Sequence, residues 1–330
     1  MAEGILLYAQ LTDEKYIHTV FFELAAKAQI LSKHLDNAPV MAVIFTKKGA
    51  LDDYKTGFEN SGIDKVFVYE DDAFEHYSTE TYSKLIVDLV KEIDPAIFLI
   101  GATCEGRDLA PRISSALHTG LTADCIELGI NDKGLLAATR PTFGGQLMAT
   151  ILCKTTPQMA TVRPNVLKPS SEIIKKDTEF IIKTIDSRDL INNVKIEKII
   201  KTINDTKNDL DSAEIIVAGG KGMKGAQGFE MLKELADLLG GKVGATREAV
   251  DLGYATPDMQ IGQTGKTVCP KLYIACAISG AIQHTVGIMG ADYIMCINND
   301  EKAPIFEVSD TGIVGDVFDV VPKLIDKLKG

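Results

Sequence analysis

The six cysteines of this 330-residue chain (Cys104, Cys125, Cys153, Cys269, Cys276 and Cys296) form no C-x-x-C pair, and no histidine stands at zinc-ligand spacing from any of them. That argues against an iron–sulfur cluster or a structural zinc. Cys125, Cys153, Cys276 and Cys296 sit in strand-like apolar runs, where a reduced thiol behaves as a small hydrophobe. Positive charge is short as well: 35 Lys and Arg stand against 46 Asp and Glu, a net of −11. An acidic chain with no basic tail is a poor nucleic-acid or anionic-membrane binder. Residues 51–100 alone hold twelve acids against four bases. No apolar run approaches the ~18 residues of a membrane span, and MAEGILLYAQLTDEKY lacks the basic n-region of a secretory signal. A cytoplasmic protein without membrane insertion is expected. Also missing are a Walker A motif, a G-x-S-x-G elbow and an H-E-x-x-H pair. ATP hydrolysis and self-contained hydrolytic chemistry lose their usual signatures.

What is present is an α/β alternation, twice. In the first half, GILLYAQ (4–10), VMAVIFT (40–46), KVFVYE (65–70) and AIFLIGA (96–102) read as strands. Between and after them run helices at 16–35, 79–93 and 105–117. Continuous apolar strands separated by helices belong in a parallel sheet covered on both faces. From 123 to 162 short runs broken by Gly and Pro suggest a few added strands. Residues 168–212, densely charged with mixed sign, read as exposed strand and connector. The second half restarts with AEIIVAGG (213–220), a glycine-rich turn (219–228), a helix at 229–240 and KVGATRE (242–248). LYIACAIS (272–279), DYIMCIN (292–298) and a closing helix at 316–329 follow. The expected fold is α/β with two parallel-sheet domains, 1–190 and 191–330, the second Rossmann-like.

Chemistry-bearing residues gather where second-half strands should end. Glycines from Gly219 to Gly228 let a backbone approach a phosphate at a helix start, and Lys221 adds a point charge. The spacing matches G-x-G-x-x-G only loosely, so a purely structural turn remains open. Gly262, Gln263, Thr264 and Gly265 make a second cluster, equally readable as a surface turn. Ser279 ends a buried strand and suits a helix N-cap, with Gly280, Ala281, Gln283 and His284 following. Arg247 follows another strand, with Glu248 or Asp251 as salt-bridge alternatives. Asn298 and Asp316 stand at comparable positions. Ligands of open α/β sheets bind outside the carboxyl ends of the strands. No acid, base or nucleophile constellation accompanies them, which suits a carrier better than a stand-alone enzyme.

The run PKLYIACAISGAIQHTVGIMGADYIMCINNDEKAPIF (270–306) resembles the signature of the electron transfer flavoprotein α subunit. IVAGGKGMK (216–224), GATREAVDLGY (244–254), MQIGQTGKTVCPKLY (259–273) and DTGIVGDVFDVVPKL (310–324) continue that pattern, while the first half matches only in length and α/β pattern. The resemblance implies an electron carrier with FAD in its C-terminal domain and a β subunit against its N-terminal domain. An acyl-CoA dehydrogenase would be its redox partner. It places Lys221 near the flavin or its diphosphate, and Thr246 and Arg247 beside the ring and its linker. Gly262, Gln263, Thr264 and Gly265 come at the ring edge and phosphate side. Ser279, Gly280, Ala281, Gln283 and His284 run along the cofactor, and Asn298 and Asp316 meet the adenosine end. A reduced flavin is negative at N1 and the C2 carbonyl, so His284 and Arg247 would stabilise it. Lys221 stands where many members have Arg. TREAVD and Cys276 resemble α subunits of anaerobes, some of which bifurcate electrons from NADH to ferredoxin and an enoyl-CoA. No cysteine-rich ferredoxin-like extension is expected. Two other readings compete with the carrier. One is an NAD-dependent Rossmann-type oxidoreductase using the 219–228 turn; the other is a non-redox nucleotide-binding module.

Overall fold

Short aliphatic runs become strands in both halves because each has both faces covered. In the first half, β1 (Ile5–Ala9), β2 (Val40–Thr46), β3 (Lys65–Glu70) and β4 (Ile97–Gly101) alternate with α1 (Thr19–Lys33), α2 (Asp52–Glu59), α3 (Thr79–Ile93) and α4 (Cys104–Ala116). Then come β5 (Leu121–Cys125), β6 (Glu127–Ile130), β7 (Leu136–Thr142), β8 (Leu147–Leu152), β9 (Gln158–Val162) and β10 (Glu179–Ile182). The computed structural model describes residues 3–142, 147–167, 173–186, 188, 190, 193–194, 196–197, 210 and 213–329. Two compact units divide it, Met1–Glu197 and Lys198–Gly330. The sequence reading places the division after residue 190. Much of the stretch read as a connector, 168–212, lies outside the described residues; of the rest, β10 joins the first unit's sheet beside β3.

The first unit's main sheet is parallel, in the order β10-β3-β2-β1-β4-β9-β5. Alternate residues of β1 serve its two faces. Ile5, Leu7 and Ala9 pack with Phe21, Leu24 and Leu31 of α1, while Leu6 and Tyr8 pack with residues of α3 and α4. Fully burying one such aliphatic side chain stabilises by about 1.5–3 kcal/mol, so the two faces together supply the driving force for this unit. The added strands of 123–162 do two things. β9 inserts between β4 and β5, and β6-β7-β8 form a separate antiparallel sheet.

The second unit holds β11 (Ile215–Gly219), α5 (Ala226–Leu239), β12 (Lys242–Ala245), α6 (Arg247–Asp251), β13 (Leu272–Cys276), α7 (Ile282–Thr285), β14 (Ile294–Asn298), β15 (Thr311–Val314) and α8 (Val317–Lys329). Its five parallel strands lie in the order β12-β11-β13-β14-β15. The chain first steps outward from β11 to β12, then crosses back to β13, so the order reverses between β11 and β13. This is a doubly wound α/β arrangement, and the crevice at such a reversal is where ligands of these sheets bind. Val217 and Cys276 face α5 and α8 on one side, and Ile216, Tyr273 and Ala275 face Leu210, Ile261 and Ile305 on the other.

Among the described residues no helix is long and apolar enough to cross a membrane. Among the same residues no group of three or more His, Cys, Asp or Glu could hold a metal ion. All six cysteines are free thiols. Cys125, Cys276 and Cys296 are buried, whereas Cys104 is exposed, because it opens α4 instead of ending a strand.

Candidate functional site

A parallel sheet sends all its strand ends to one edge, and in the second unit that edge collects most of the residues singled out in the sequence. β11 ends at Gly219, and Gly220 donates its N–H to the Cys276 carbonyl (3.0 Å), closing the turn over the end of β13. A Cβ on Gly220 would lie 2.2 Å from the Ala277 carbonyl oxygen, and one on Gly222 2.8 Å from the Ala277 Cβ, so only glycine lets these two turns meet. Lys221 stands exposed between them. Gly225 precedes α5 at φ 143° with no atom within 4 Å of a would-be Cβ. The first amides of that 14-residue helix have no acceptor one full turn earlier, and the Gly228 N–H turns back to the Gly225 carbonyl (3.1 Å).

Thr246 follows β12 and caps α6, its Oγ accepting from the Ala249 N–H, while its own N–H donates to the Gly219 carbonyl (3.0 Å). That bond ties Arg247 to the glycine turn. Arg247 is two-thirds exposed and pairs with Asp251 (3.4 Å), and Lys221 pairs with Glu248 (2.7 Å). Both cations are therefore held by α6 carboxylates on the surface, where such pairs contribute little to stability and exchange readily for another anion.

The 261–266 loop reaches the same region through its backbone. Ile261 donates to the Ala245 carbonyl (2.9 Å), and Gln263 to the Gln283 carbonyl (2.7 Å). A Cβ on Gly262 would lie 2.6 Å from that Gln283 oxygen. Gln263, Thr264 and Gly265 are exposed, as are Ser279, Ala281 and Gln283. Gly280, at φ 87°, is wedged against Ile305, whose N–H donates to the Ser279 carbonyl (3.1 Å). Asp316 starts α8, its Oδ1 accepting from the Phe318 N–H (3.0 Å).

Two residues of the set point inward. Asn298 is buried, donating from Nδ2 to the Ile278 carbonyl (2.8 Å) and accepting the Asp300 N–H at Oδ1 (2.9 Å). His284 is 6 % exposed. Its Nδ1 lies 3.1 Å from the Ile261 carbonyl, which only accepts, so Nδ1 carries the proton. Nε2 is then the acceptor for the Tyr273 hydroxyl at 2.9 Å. Burial pushes the imidazole down to about 4, only partly offset by the Ile261 carbonyl, and the ring is neutral. The N–H that the sequence reading assigns to a flavin is committed to the protein in this arrangement. Tyr273 itself escapes sequence reasoning. Its one signal is a tyrosine inside a fully buried strand, which needs a partner for its hydroxyl.

The edge thus offers glycine turns, a helix start, two exchangeable cations and exposed hydroxyl and amide side chains. Comparison with known proteins decides what kind of edge it is. Residues 5–187 match the electron transfer flavoprotein domain, and residues 209–289 match the electron transfer flavoprotein FAD-binding domain. The chain belongs to the electron transfer flavoprotein family. It is 45 % identical to the electron transfer flavoprotein subunit alpha of Megasphaera elsdenii, over 99 % of this chain and 96 % of that one. It is 52 % identical to the subunit alpha of Thermoanaerobacterium thermosaccharolyticum over 81 % of each. It is 36 % identical to the lactate dehydrogenase (NAD(+),ferredoxin) subunit LctC of Acetobacterium woodii, over 99 % of this chain and 77 % of that one. The likeness carried in the sequence by the second half therefore extends to the first. As an electron transfer flavoprotein α chain, it binds FAD through its second unit. The residues fit such a group: the open space at Gly225 and the start of α5 suit an anionic diphosphate, and Lys221 and Arg247 supply compensating charge.

Proposed function

We propose that this chain is the α half of a cytoplasmic α/β electron transfer flavoprotein, passing electrons between an acyl-CoA dehydrogenase and a second redox partner. The observation that carries the reading is the glycine-lined reversal between β11 and β13, ringed by exposed Lys221, Arg247, Ser279 and Gln263. Bound there, FAD supplies one-electron chemistry, and the protein supplies binding, orientation and electrostatics. Gly220, Gly222 and Gly225 admit the diphosphate to backbone amides, and Lys221 turns from Glu248 toward it. Thr246 and Arg247 lie by the ring and linker, where the guanidinium, always charged, favours the anionic reduced cofactor and raises its potential. Gly262, Gln263, Thr264 and Gly265 line the ring edge. Ser279, Gly280, Ala281 and Gln283 run along the cofactor, and Asp316 meets the adenosine end. His284 and Asn298 serve this site from inside, by fixing the backbone that carries it.

A second reading is electron bifurcation, from NADH to ferredoxin and an enoyl-CoA. It is favoured by one relative, LctC, whose name joins NAD(+) and ferredoxin in a single enzyme. One experiment separates the readings: an absorbance spectrum of the chain purified with the companion subunit encoded beside it, with released cofactor identified and counted per pair. One FAD per pair is the result expected of a simple carrier. Two FADs make bifurcation the reading to pursue by an NADH–ferredoxin assay. A colourless pair after reconstitution with FAD overturns the carrier and leaves a nucleotide-binding module.

A further inference from the structure

The first unit has a reversal of strand order of its own. The chain steps from β1 through β2 to β3, then returns to set β4 on the other side of β1. The crevice of such a sheet falls at the carboxyl ends of β1 and β4. The residues there differ in kind from those at the FAD edge. No glycine turn opens a helix start; instead Thr103 caps α4, its Oγ1 accepting the Gly106 N–H (3.0 Å) and donating to Gln10 Oε1 (2.6 Å). Glu105 follows in the first turn of α4, half-buried, with the charges of Asp13 and Asp108 acting on it. A phosphate is repelled here.

Three tyrosines gather around that carboxylate. Tyr8, near the end of β1, is 3 % exposed and donates to Glu105 Oε1 (2.5 Å). Tyr77, half-buried ahead of α3, donates to Asp108 (2.9 Å), which also accepts the Thr79 hydroxyl. Tyr82, in the first turn of α3, is 5 % exposed and feels the charges of Glu105 and Tyr77, yet its hydroxyl has no hydrogen-bond partner among the described residues. Its ring stacks on Phe45 (4.1 Å between centroids) and meets Phe74 and Tyr77 edge-on, which fixes the direction of the hydroxyl. No cation answers Glu105 among the described residues. Arg107 and Arg112 of α4 pair with Asp124 and Glu80 (3.2 and 3.5 Å), and Lys15 Nζ donates to the Glu75 carbonyl (2.7 Å). Burial, with Asp13 and Asp108 adding to it, raises the Glu105 carboxyl to about 7, and the Tyr8 hydroxyl offsets this only in part.

We propose that the crevice between β1 and β4 binds the ammonium group of a small primary amine. The ammonium donates to Glu105 and to the Tyr82 hydroxyl oxygen, and its charge supplies the counter-ion that the half-buried carboxylate needs. A multivalent metal ion suits the site less, since among the described residues no three His, Cys, Asp or Glu group to hold one. Small ligands of doubly wound sheets enter at such a reversal, so a free amine is the ligand rather than a protein surface. None of these residues belongs to the FAD edge, and the inference stands whether or not the electron-carrier reading does.

The test is a titration of the full chain with methylammonium chloride at pH 8, followed by tyrosine absorbance and by thermal melting. Potassium chloride and tetramethylammonium chloride at the same ionic strength are the comparisons. Expected is saturable stabilisation of the first unit by methylammonium alone. Methylammonium keeps its charge throughout, whereas Glu105 gains a proton below about 7, so binding should weaken about tenfold from pH 8 to pH 6. Glu105→Gln keeps the shape and removes the charge, and should lose at least about tenfold in affinity and the pH dependence with it. Tyr82→Phe removes only the hydroxyl and should lose about fivefold. Circular dichroism verifies the fold of both variants, and the pH profile and the salt comparison decide without them. An equal response to the three salts is screening of surface charge and overturns the site. So does the absence of a saturable response, or methylammonium binding that Glu105→Gln leaves unchanged.

Discussion

Tyr273 and His284 form a buried, hydrogen-bonded pair in the second unit. The Tyr273 hydroxyl satisfies Nε2, and the Ile261 carbonyl satisfies Nδ1–H, which links β13, α7 and the 261–266 loop through one ring. Replacing Tyr273 by Phe leaves Nε2 unsatisfied in the core. The expected cost is about 1–3 kcal/mol in urea unfolding of the second unit. Nitrogen shifts of His284 check the assignment directly: the ring should stay in the neutral Nδ1–H form from pH 8 down to pH 5. A ring that titrates near 6.5 overturns it. His284 was legible in the sequence as a residue of interest, because it follows a strand-to-helix turn. Its partners were not, because Tyr273 and Ile261 lie eleven and twenty-three positions away.

Elements depend on close approaches that only particular residues permit. α4 seats on the end of β4 because Gly106 has no side chain; a Cβ there would lie 1.8 Å from the Gly101 carbonyl oxygen. Gly106→Ala must move a helix against backbone, and a loss of at least about 3 kcal/mol is expected for the first unit. Gly129→Ala in β6, where nothing lies within 4 Å, is the matched control and should melt nearly as the parent does. The strands with continuous apolar runs were readable from sequence. β15 was not, because its four residues are mostly exposed and carry no apolar periodicity. Nor was α2, anchored only through Tyr54 and Phe58. α5 starts at Ala226, three residues before the apolar run that announced it, because Gly225 takes a conformation open only to glycine and caps the helix there.

At the scale of the whole molecule, the two units respond to pH in opposite directions. Burial raises Glu105, which accepts the Tyr8 hydroxyl at 2.5 Å, and Glu23, which accepts the Asn165 and Leu167 amides, each to about 7. Between pH 4.5 and 7 the folded first unit holds more protons than its unfolded chain, so its stability falls as pH rises. His284, lowered to about 4, does the reverse: between pH 4 and 6.5 the unfolded chain binds the extra proton, and the second unit gains stability as pH rises. Each group contributes at most about 1.4 kcal/mol per pH unit, and less for the partly exposed Glu105. Calorimetry at pH 5 and pH 7 should show two transitions moving oppositely, with Glu105→Gln flattening the slope of one only. Added FAD should raise only the transition of the second unit, by about 2.7 kcal/mol at a hundred times its dissociation constant. A single transition shifted as a whole by FAD would show that the two cores unfold together.

Composition and apolar patterning alone determined the α/β class, the two-part organisation and the glycine clusters, because those follow from local periodicity and from residue types that only certain backbones accept. The long motifs of the second half also settled the family. Tertiary structure decided the rest. It inserted β9 between β4 and β5, an order that no local pattern encodes. It turned His284 inward to Tyr273 and paired Lys221 with Glu248 instead of leaving it free. In each case the deciding partner is distant in the chain, and only the folded sheets bring the groups within hydrogen-bonding or pairing distance.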